Sequence, residues 1–555
     1  MRNRKGEHMK KLLVLLLSLL MILSLSACAG SNNGGGTEGG GGGSEPVAED
    51  KVFKYAIGDS PNYLDPAIAS DSIGSYVINQ FYYPLYYFSP TGILPAAAVD
   101  TKVSDDGLVY TITINDNTWS DGQPVKADDF VYGPKHALSL GDAEVSYLAW
   151  ITDYIVNATN YVGKSTDEMT DLGIKALDDK TVEYTLVKPC SFFTSLLWGG
   201  IYYPLRPDFA PSGDYTWANT VGYPTCGAFT PTYIDPAEKI TSVKNDKWFD
   251  ADKVKVSGLD CLVITDMESQ LMAYQTEEID FATSLSAGTV SKLYDDKELF
   301  ASGNVNYYME LNMRPETAKN EALLDLNVRK AILYGIDRQA IVDAIDAGTI
   351  YYPLYGFVPH GIVDPTDGDF RTTGGDLCSY DQEAAKKYLA EAGYSVDNPL
   401  ELEYYYNQNT THDTVAAVLK EQLAAIGINL TLKTGDVRTF FDDRDNQANF
   451  EAARGAMSAD YNDSLTYLDM ATYTYQTKAS WGDTTYDALM LDIASMSGQE
   501  RIAKLHEAEK YLVEDQAMVI PLFGYGSACL RHTYVSGDFD NGQGNSIFWY
   551  VSVDK

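Results

Sequence analysis

The stretch THDTVAAVLKEQLAAIGINLTLKT, residues 411–434, indicates most directly which class of fold the chain adopts. Its first part repeats apolar residues at the three- and four-residue spacing of a helix that buries one face. Gly427 follows, and glycine is the residue type that most often ends a helix. Residues 428–434 then alternate apolar and polar side chains, as a half-buried strand does. We therefore predict a helix, a glycine break and a strand in direct succession.

The same two periodicities recur along the chain. Strands are predicted at YTITI (110–114) and TVEYTLV (181–187), and helical spacing is found in LNVRKAILYGIDRQAIVDAI (326–345) and DQEAAKKYLAEAGY (381–394). This alternation predicts an α/β fold with mixed sheets. A length of 555 residues exceeds one ordinary domain and favours two or three lobes.

The N-terminus predicts export and anchoring. Residues 1–11 are basic, and residues 12–27 (LLVLLLSLLMILSLSA) form an apolar run shorter than the roughly 20 residues of a membrane span. Residues 1–27 are thus predicted to be a signal peptide, with Met9 as a second candidate start. The run ends in Leu-Ser-Ala-Cys28, which resembles the bacterial lipobox and implies a lipidated Cys28; the alternative is a secreted protein with a chance cysteine.

Residues 28–50 continue from the lipidated cysteine as SNNGGGTEGGGGGSEP and a short acidic end, a composition typical of a flexible tether. Together the anchor and the tether predict a protein at the cell membrane, held on its extracytoplasmic face.

Charge and cysteine usage exclude several functions. A net charge of −37 repels polyanions, so nucleic acid is not a predicted partner. No cysteine lies in a C-x-x-C or Cys/His cluster, and no metal site is predicted. Cys190 and Cys226 can pair outside the cell, but an odd number leaves at least one thiol free. The five cysteines beyond Cys28 are Cys190, Cys226, Cys261, Cys378 and Cys529.

No motif of catalysis is present. The chain has no H-E-x-x-H pair, no G-x-S-x-G elbow and no Walker loop, and DDRD (442–445) lacks the spacing of a calcium loop. We therefore predict neither an enzyme nor a cofactor, and a surface-anchored hydrolase is the least favoured alternative.

Tyrosine is unusually frequent, with 41 residues. Clusters at 82–87, 202–203, 351–355 and 404–406 can line a polar-aromatic cleft, since tyrosine combines an apolar ring with a hydrogen-bonding tip. The alternative is that they are half-buried strand residues.

The segment RGAMSADYND (454–463) places Arg454 six positions before Asp460 in a stretch that otherwise resembles a buried strand running into a loop. One interpretation is a structural ion pair between the two. The other is that each charge binds the opposite end of a ligand.

Several segments, in order, resemble the extracytoplasmic solute-binding proteins of peptide ABC transporters, the oligopeptide- and dipeptide-binding family. The most specific is TWSDGQPVKADDFVYG (118–133), similar to the signature W-x-D-G-x-P-V-x-A-x-D-F. The others are LDPAIASD (64–71), CGAFTP (226–231), KNDKWFD (244–250), EEIDF (277–281), YYMELNMRP (307–315), VRKAILYGIDRQAIV (328–342) and EAAKKYLAEAGY (383–394).

The resemblance implies a two-lobed clamshell of the type II periplasmic-binding-protein kind, in its three-segment peptide-binding form. The first lobe is expected to cover residues 51–304, with a subdomain near 74–188, and to be completed by residues 525–555. The second lobe is expected over residues 305–524. A peptide enclosed between the lobes is then passed to the permease and ATPase of an ABC transporter, and the protein is expected to be a monomer.

The resemblance also implies roles for individual residues. Asp460, in the A-D-Y-N segment, corresponds to the aspartate that binds a peptide's α-ammonium group. Arg454 and His412 correspond to residues near the ligand's carboxylate end, and Arg444 approximately to another basic residue. Further predicted ligand-binding residues are Tyr461, Met457 and Tyr132.

The chain also departs from the pattern of that family. Met457-Ser458 replaces a Trp-Cys pair, and Val305 stands where the partner cysteine is expected. Val437 replaces a pocket tryptophan, and Ser60 replaces an acidic residue. The predicted function is the capture of oligopeptides, and the alternative is the same scaffold with a non-peptide solute such as an oligosaccharide or a metal chelate.

Overall fold

The computed structural model describes residues 51–555, apart from residues 70, 90–91, 142, 294–296, 347, 365–367, 473–482, 495, 538 and 541–545. The predicted signal peptide, Cys28 and the tether over 28–50 lie outside the described residues. Within the described ranges, no helix combines the length and the apolar composition needed to cross a membrane.

The strands and helices follow one another as the α/β prediction requires. The strands are β1 (Val52–Ile57), β2 (Tyr86–Ser89), β3 (Gly92–Pro95), β4 (Ala98–Val103), β5 (Val109–Ile114), β6 (Ile174–Asp178), β7 (Thr181–Thr185), β8 (Phe229–Asp235), β9 (Lys239–Lys244), β10 (Gly258–Val263), β11 (Phe281–Ala282), β12 (Leu299–Leu311), β13 (Tyr351–Pro353), β14 (Val363–Asp364), β15 (Gly368–Asp369), β16 (Leu400–Asn407), β17 (Ile428–Gly435), β18 (Ala452–Ser458), β19 (Val519–Arg531), β20 (Val535–Ser536), β21 (Phe539–Asp540), β22 (Ser546–Ile547) and β23 (Ser552–Val553). The α-helices are α1 (Ser72–Ile78), α2 (Ala127–Leu140), α3 (Ala149–Thr152), α4 (Phe193–Leu196), α5 (Met267–Gln275), α6 (Ala287–Leu293), α7 (Leu326–Gly335), α8 (Arg338–Ile345), α9 (Phe370–Gly374), α10 (Gln382–Glu391), α11 (Thr410–Ala424), α12 (Val437–Phe441), α13 (Leu465–Leu468), α14 (Thr484–Ala494) and α15 (Gly498–Lys510).

The largest sheet contains eleven strands in the order β17-β16-β18-β12-β19-β11-β1-β10-β9-β8, with β13 paired to β19 beside this path. The pairs β1–β10, β1–β11, β16–β17 and β16–β18 are parallel, whereas β12–β18, β12–β19 and β8–β9 are antiparallel. The sheet is therefore mixed, as predicted.

The two long strands β12 and β19, of 13 residues each, join the two ends of this sheet. Residues 299–302 of β12 pair with the end of β19 that also pairs with β11. The register then shifts between Ser302 and Val305, and beyond the shift β12 pairs with β18 as well as β19. Val305 lies directly opposite Ser458, so the two positions at which the family resemblance expects cysteines are cross-strand neighbours.

A separate antiparallel sheet, β4-β5-β7-β6, precedes β8 in the chain. The signature TWSDGQPVKADDFVYG leads into α2 beside it. The fully buried Trp119 donates its indole N–H to Asp129, 2.9 Å away, and the same Asp129 oxygen accepts the Lys126 backbone N–H at 2.9 Å. Trp119, Lys126 and Asp129 of this signature thus fix the start of α2.

The helix, glycine break and strand predicted over 411–434 are confirmed as α11 and β17, with Gly427 at φ +104 between them.

The segment 326–345, whose helical spacing predicted one continuous helix, forms two helices instead, α7 and α8. Ile336 is extended at the break, and Asp337 caps α8 by accepting the Ala340 backbone N–H at 3.2 Å. A capping residue inside an apolar repeat outweighs the repeat, because it satisfies a backbone donor at a new helix start.

Most of the tyrosine clusters belong to the core rather than to a cleft. The buried members are Tyr82, Tyr83, Tyr86, Tyr202, Tyr203, Tyr404, Tyr405 and Tyr406.

The five described cysteines are all buried and free, so Cys190 and Cys226 do not pair here.

Candidate ligand-binding site

A cavity of about 130 Å³ lies where the N-terminal third of the chain meets the segment that follows β18. One wall comes from residues 66–203 and the other from residues 458–460, which are far apart in sequence. The polar and aromatic residues of the cavity include Asp71, Tyr147, Trp150, Trp198, Ser458 and Asp460.

Asp460 lies two residues past the end of β18 and lines this cavity. One of its carboxylate oxygens accepts the Tyr147 hydroxyl at 3.0 Å, and its backbone N–H donates to the Thr466 hydroxyl at 3.1 Å. It forms no ion pair with any described residue. Burial raises the pKa of Asp460 to about 6, against the opposing effect of the Tyr147 hydrogen bond.

Arg454 lies within β18 and is also without an ionic partner among the described residues. Its Nε donates to the Asn407 side-chain oxygen at 2.7 Å, and its guanidinium lies 5.1 Å from the ring centre of Phe440 and 5.3 Å from that of Phe441. The structural ion pair between Arg454 and Asp460 is therefore not formed. Six residues of extended chain span up to roughly 20 Å, which is the scale of a short peptide.

His412 and Arg444 lie beside Arg454. The His412 ring is 3.2 Å from the Tyr307 hydroxyl, and burial together with the Arg454 charge lowers the pKa of His412 to about 4. Arg444 donates to the Arg454 carbonyl at 3.2 Å, and its charge is balanced by Asp445 at 2.5 Å and Glu310 at 3.8 Å. The structure thus brings a neutral histidine and two arginines together, of which Arg454 is the one without a carboxylate partner among the described residues.

The remaining predicted residues occupy three different settings. The Tyr461 ring stacks on Phe192, with ring centres 5.2 Å apart, so it joins the two walls beside the cavity. Met457 is partly buried, and its backbone N–H donates to the Asn306 side chain at 3.1 Å. Tyr132 donates its hydroxyl to the Ala210 carbonyl at 2.7 Å and does not line the cavity. The ligand contacts of all these residues stay predictions.

Four residues of the cavity were not predicted from the sequence as site residues: Asp71, Tyr147, Trp150 and Trp198. The run Trp198-Gly199-Gly200 could have indicated part of this cavity from the sequence, because successive glycines indicate that the backbone closely approaches other residues. A Cβ atom at Gly199 would lie 2.6 Å from the Trp150 ring, and one at Gly200 would lie 2.2 Å from the Pro66 carbonyl oxygen.

The large mixed sheet has two ends that are joined by the long strands β12 and β19, and a cavity with two carboxylates lies between distant segments of the chain. This is the architecture of a binding protein that encloses a small solute. A model of the bacterial extracellular solute-binding proteins, family 5, matches residues 92–479, and the chain belongs to this family. The predicted family is confirmed, and the chain is a binding protein rather than an enzyme.

Relatives agree with this assignment over most of their length. The dipeptide-binding protein DppE of Bacillus subtilis is 26% identical over 457 residues, which cover 80% of this chain and 81% of that protein. The probable deoxycholate-binding periplasmic protein YgiS of Escherichia coli is 27% identical over 505 residues, which cover 89% of this chain and 91% of that protein. The structure of Listeria monocytogenes OppA bound to peptide matches with a TM-score of 0.72 and 27% identity, covering 92% of this chain and 100% of that one. The predicted type II clamshell fold is confirmed by this match.

Proposed function

We propose that the protein is a lipid-anchored extracellular binding protein that captures oligopeptides between two lobes and delivers them to the permease and ATPase of an ABC transporter. The lobes are residues 51–304 with 525–555, and residues 305–524, and the first includes a subdomain near 74–188. The register shift at 302–305 in β12 supports the boundary between the lobes at residues 304 and 305. Before the shift, β12 pairs only with the end of β19 that also pairs with β11, and after the shift it pairs with β18 as well.

The observation that carries the proposal is the state of Asp460. A partly buried carboxylate with a raised pKa and no described ionic partner is costly to keep ionised. A peptide's α-ammonium offsets that cost by a charge-assisted hydrogen bond, and every unblocked peptide carries one. The preference for a free amino terminus is therefore independent of peptide sequence.

Arg454 supports binding of the other end of the peptide. It lies in β18, upstream of Asp460, and no described carboxylate balances its charge. A guanidinium binds a carboxylate in a planar, two-pronged geometry. Between the two termini, the amides of a peptide are uniform, so a protein that reads termini and amides accepts many sequences.

The sequence around Cys28 supports the proposed location. The lipobox-like Leu-Ser-Ala-Cys and the glycine-rich tether keep a binding protein near the membrane while leaving it free to reorient. Cys28→Ala is expected to release the protein into the medium, as measured by immunoblotting of cell and medium fractions. Membrane retention of the variant would contradict lipid anchoring.

The alternative is a non-peptide solute on the same scaffold, because fold alone does not determine the ligand. The relative YgiS, whose name describes deoxycholate binding, supports keeping it open. Two opposite charges without described ionic partners, Asp460 and Arg454, favour a zwitterion over a neutral sugar.

Calorimetric titration with trialanine and N-acetyl-trialanine tests the peptide proposal. Asp460→Asn is expected to weaken binding of trialanine by at least about thirtyfold, because it removes the charge that holds the ammonium group. The acetylated peptide should change by less than about threefold. Asp266→Asn, at a helix cap outside the cavity, is the matched control and should alter neither affinity.

Equal weakening of both peptides by Asp460→Asn would contradict the ammonium role. If the wild-type protein binds neither peptide, the peptide proposal fails, and mass spectrometry of compounds that copurify with the protein should then identify a non-peptide solute.

A further inference from the structure

Two carboxylates line the cavity, and they come from opposite walls. Asp460 follows β18, whereas Asp71 precedes α1. No lysine, arginine or histidine is found among the described residues that line the cavity. A peptide's α-ammonium balances one of the two charges, which leaves the other for a second cation.

Asp71 has capacity for a further hydrogen-bond donor. Its Oδ1 caps α1 by accepting the Gly74 backbone N–H at 2.6 Å, and its Oδ2 accepts only a long bond of 3.4 Å from Asn62. It forms no ion pair with described residues. Because a carboxylate has about four acceptor positions, a cation can bind Asp71 without displacing the cap.

The walls of the cavity suit a side chain with an apolar stem and a cationic head. On one wall Asp71, Ser75 and Asn79 follow one another at the four-residue spacing of a helix face. The Trp150 and Trp198 side chains line the same wall. Lysine and arginine side chains lay their methylene groups on apolar surfaces, and aromatic faces attract their charges.

The size of the cavity matches one side chain. Its volume of about 130 Å³ is close to that of engineered cavities, about 150 Å³, that hold a single benzene molecule. The wall at Trp150 is supported by the Gly199 backbone, where a Cβ atom would lie within 2.6 Å of the ring. The cavity therefore has room for one side chain.

We propose that this cavity selects peptides whose first residue carries a basic side chain, with Asp460 binding the α-ammonium group and Asp71 the side-chain cation. The proposal rests on the proposed function and adds a preference at the first position. Peptides that begin with an acidic residue are disfavoured, since both walls then repel the side chain.

The test is calorimetric titration of the full-length protein with three tripeptides, X-Ala-Ala, in which X is lysine, norleucine or glutamate. Norleucine matches the stem of lysine and lacks its charge. The lysine peptide is expected to bind about tenfold more tightly than the norleucine peptide, and the glutamate peptide is expected to bind least tightly. Equal affinities for the lysine and norleucine peptides would overturn the proposal.

Asp71→Asn tests the residue itself. Asparagine caps a helix as well as aspartate does, so α1 keeps its start while the charge is lost. The lysine-to-norleucine affinity ratio is expected to fall from about tenfold to below about threefold. Asp266→Asn makes the same change at the cap of α5, outside the cavity, and should leave the ratio unchanged.

A lysine preference that survives Asp71→Asn would overturn the role of Asp71. If the wild-type protein binds none of the three peptides, the proposed function fails as well, whereas binding of all three with equal affinity overturns only the preference for a basic first residue.

Discussion

At the scale of single residues, burial and hydrogen bonding act in opposite directions on Asp460. Burial raises its pKa to about 6, and the Tyr147 hydroxyl partly compensates by stabilising the charged form. The carboxylate is therefore ionised at neutral pH and close to its own titration range. Binding of an ammonium group should lower its pKa, because the charged form then gains a partner.

Peptide affinity should depend on pH through this group. As pH falls below about 6, Asp460 of the free protein becomes protonated, and near pH 5 only about one tenth of the molecules keep the charge. We expect trialanine to bind about tenfold more weakly at pH 5 than at pH 7. Calorimetric titration across pH 4.5–7.5 measures this, with N-acetyl-trialanine as the control. A flat profile for the free-amine peptide would contradict the ammonium role.

The charge of Arg454 is expected to bind the carboxylate end of a peptide. Arg454→Gln removes a charge that no described carboxylate balances, so peptides with a free carboxylate should lose affinity by about tenfold or more. Peptides amidated at the C-terminus should lose less, because they never paired with the charge. Fluorescence or calorimetric titration of matched free and amidated peptides gives the ratio. Equal losses would assign Arg454 to holding Asn407 and Phe440 instead.

Asp460, which lines the cavity, is among the residues predicted from the sequence, whereas the aromatic side chains of the cavity are not. Charges in an apolar stretch are conspicuous, whereas Trp150 and Trp198 resemble core residues until their neighbours are known. The signature at 118–133 shows the reverse case, since Trp119 and Asp129 identify the family yet serve to start α2.

At the scale of elements, the periodic segments were predicted well and their breaks less well. The boundary at Gly427 is local, because a backbone at φ +104 requires glycine. The break between α7 and α8 depends on tertiary structure as well. Arg338, fully buried, donates to the Pro521 carbonyl of β19 at 2.7 Å and to the Ile336 carbonyl at 3.0 Å, which no pattern within 326–345 encodes.

Two glycines that follow helices provide a matched pair for stability. Gly393 and Gly427 both have positive φ, but only at Gly427 would a Cβ atom meet another backbone, 2.5 Å from the Ser395 carbonyl carbon. Gly393→Ala should cost about 1 kcal/mol from backbone strain alone. Gly427→Ala should cost at least about 3 kcal/mol, because the Ser395 segment must also move. Thermal unfolding followed by circular dichroism should rank the two Tm values accordingly, and equal values would contradict this account.

At the scale of the whole molecule, the order of the strands in the large sheet could not be predicted from the periodicity of the sequence. β1 pairs with β10 and β11, and β12 pairs with β19, although more than two hundred residues separate Val305 from Tyr525. Such pairing reflects how distant segments pack together, and the pattern of one segment does not report it. The resemblance to a family predicted the two-lobed fold but no strand order, and the register of Val305 with Ser458 agrees with the two positions at which that family is expected to carry cysteines.

The two lobes are expected to close on a bound peptide. Two contacts join the two walls beside the cavity in this structure. They are the hydrogen bond between Tyr147 and Asp460 and the stacking of Phe192 on Tyr461. A peptide that adds an ammonium–carboxylate bond and fills the cavity favours the closed arrangement, because a ligand shifts a conformational equilibrium toward the state it binds better. Small-angle scattering should therefore show a smaller radius of gyration with saturating trialanine than without it. Asp460→Asn at the same peptide concentration should contract less, because fewer molecules hold peptide, and Asp266→Asn should contract as the wild-type protein does. An unchanged radius in the wild-type protein at proven saturation would mean that the lobes do not close on the ligand, and that capture relies on a cavity already formed.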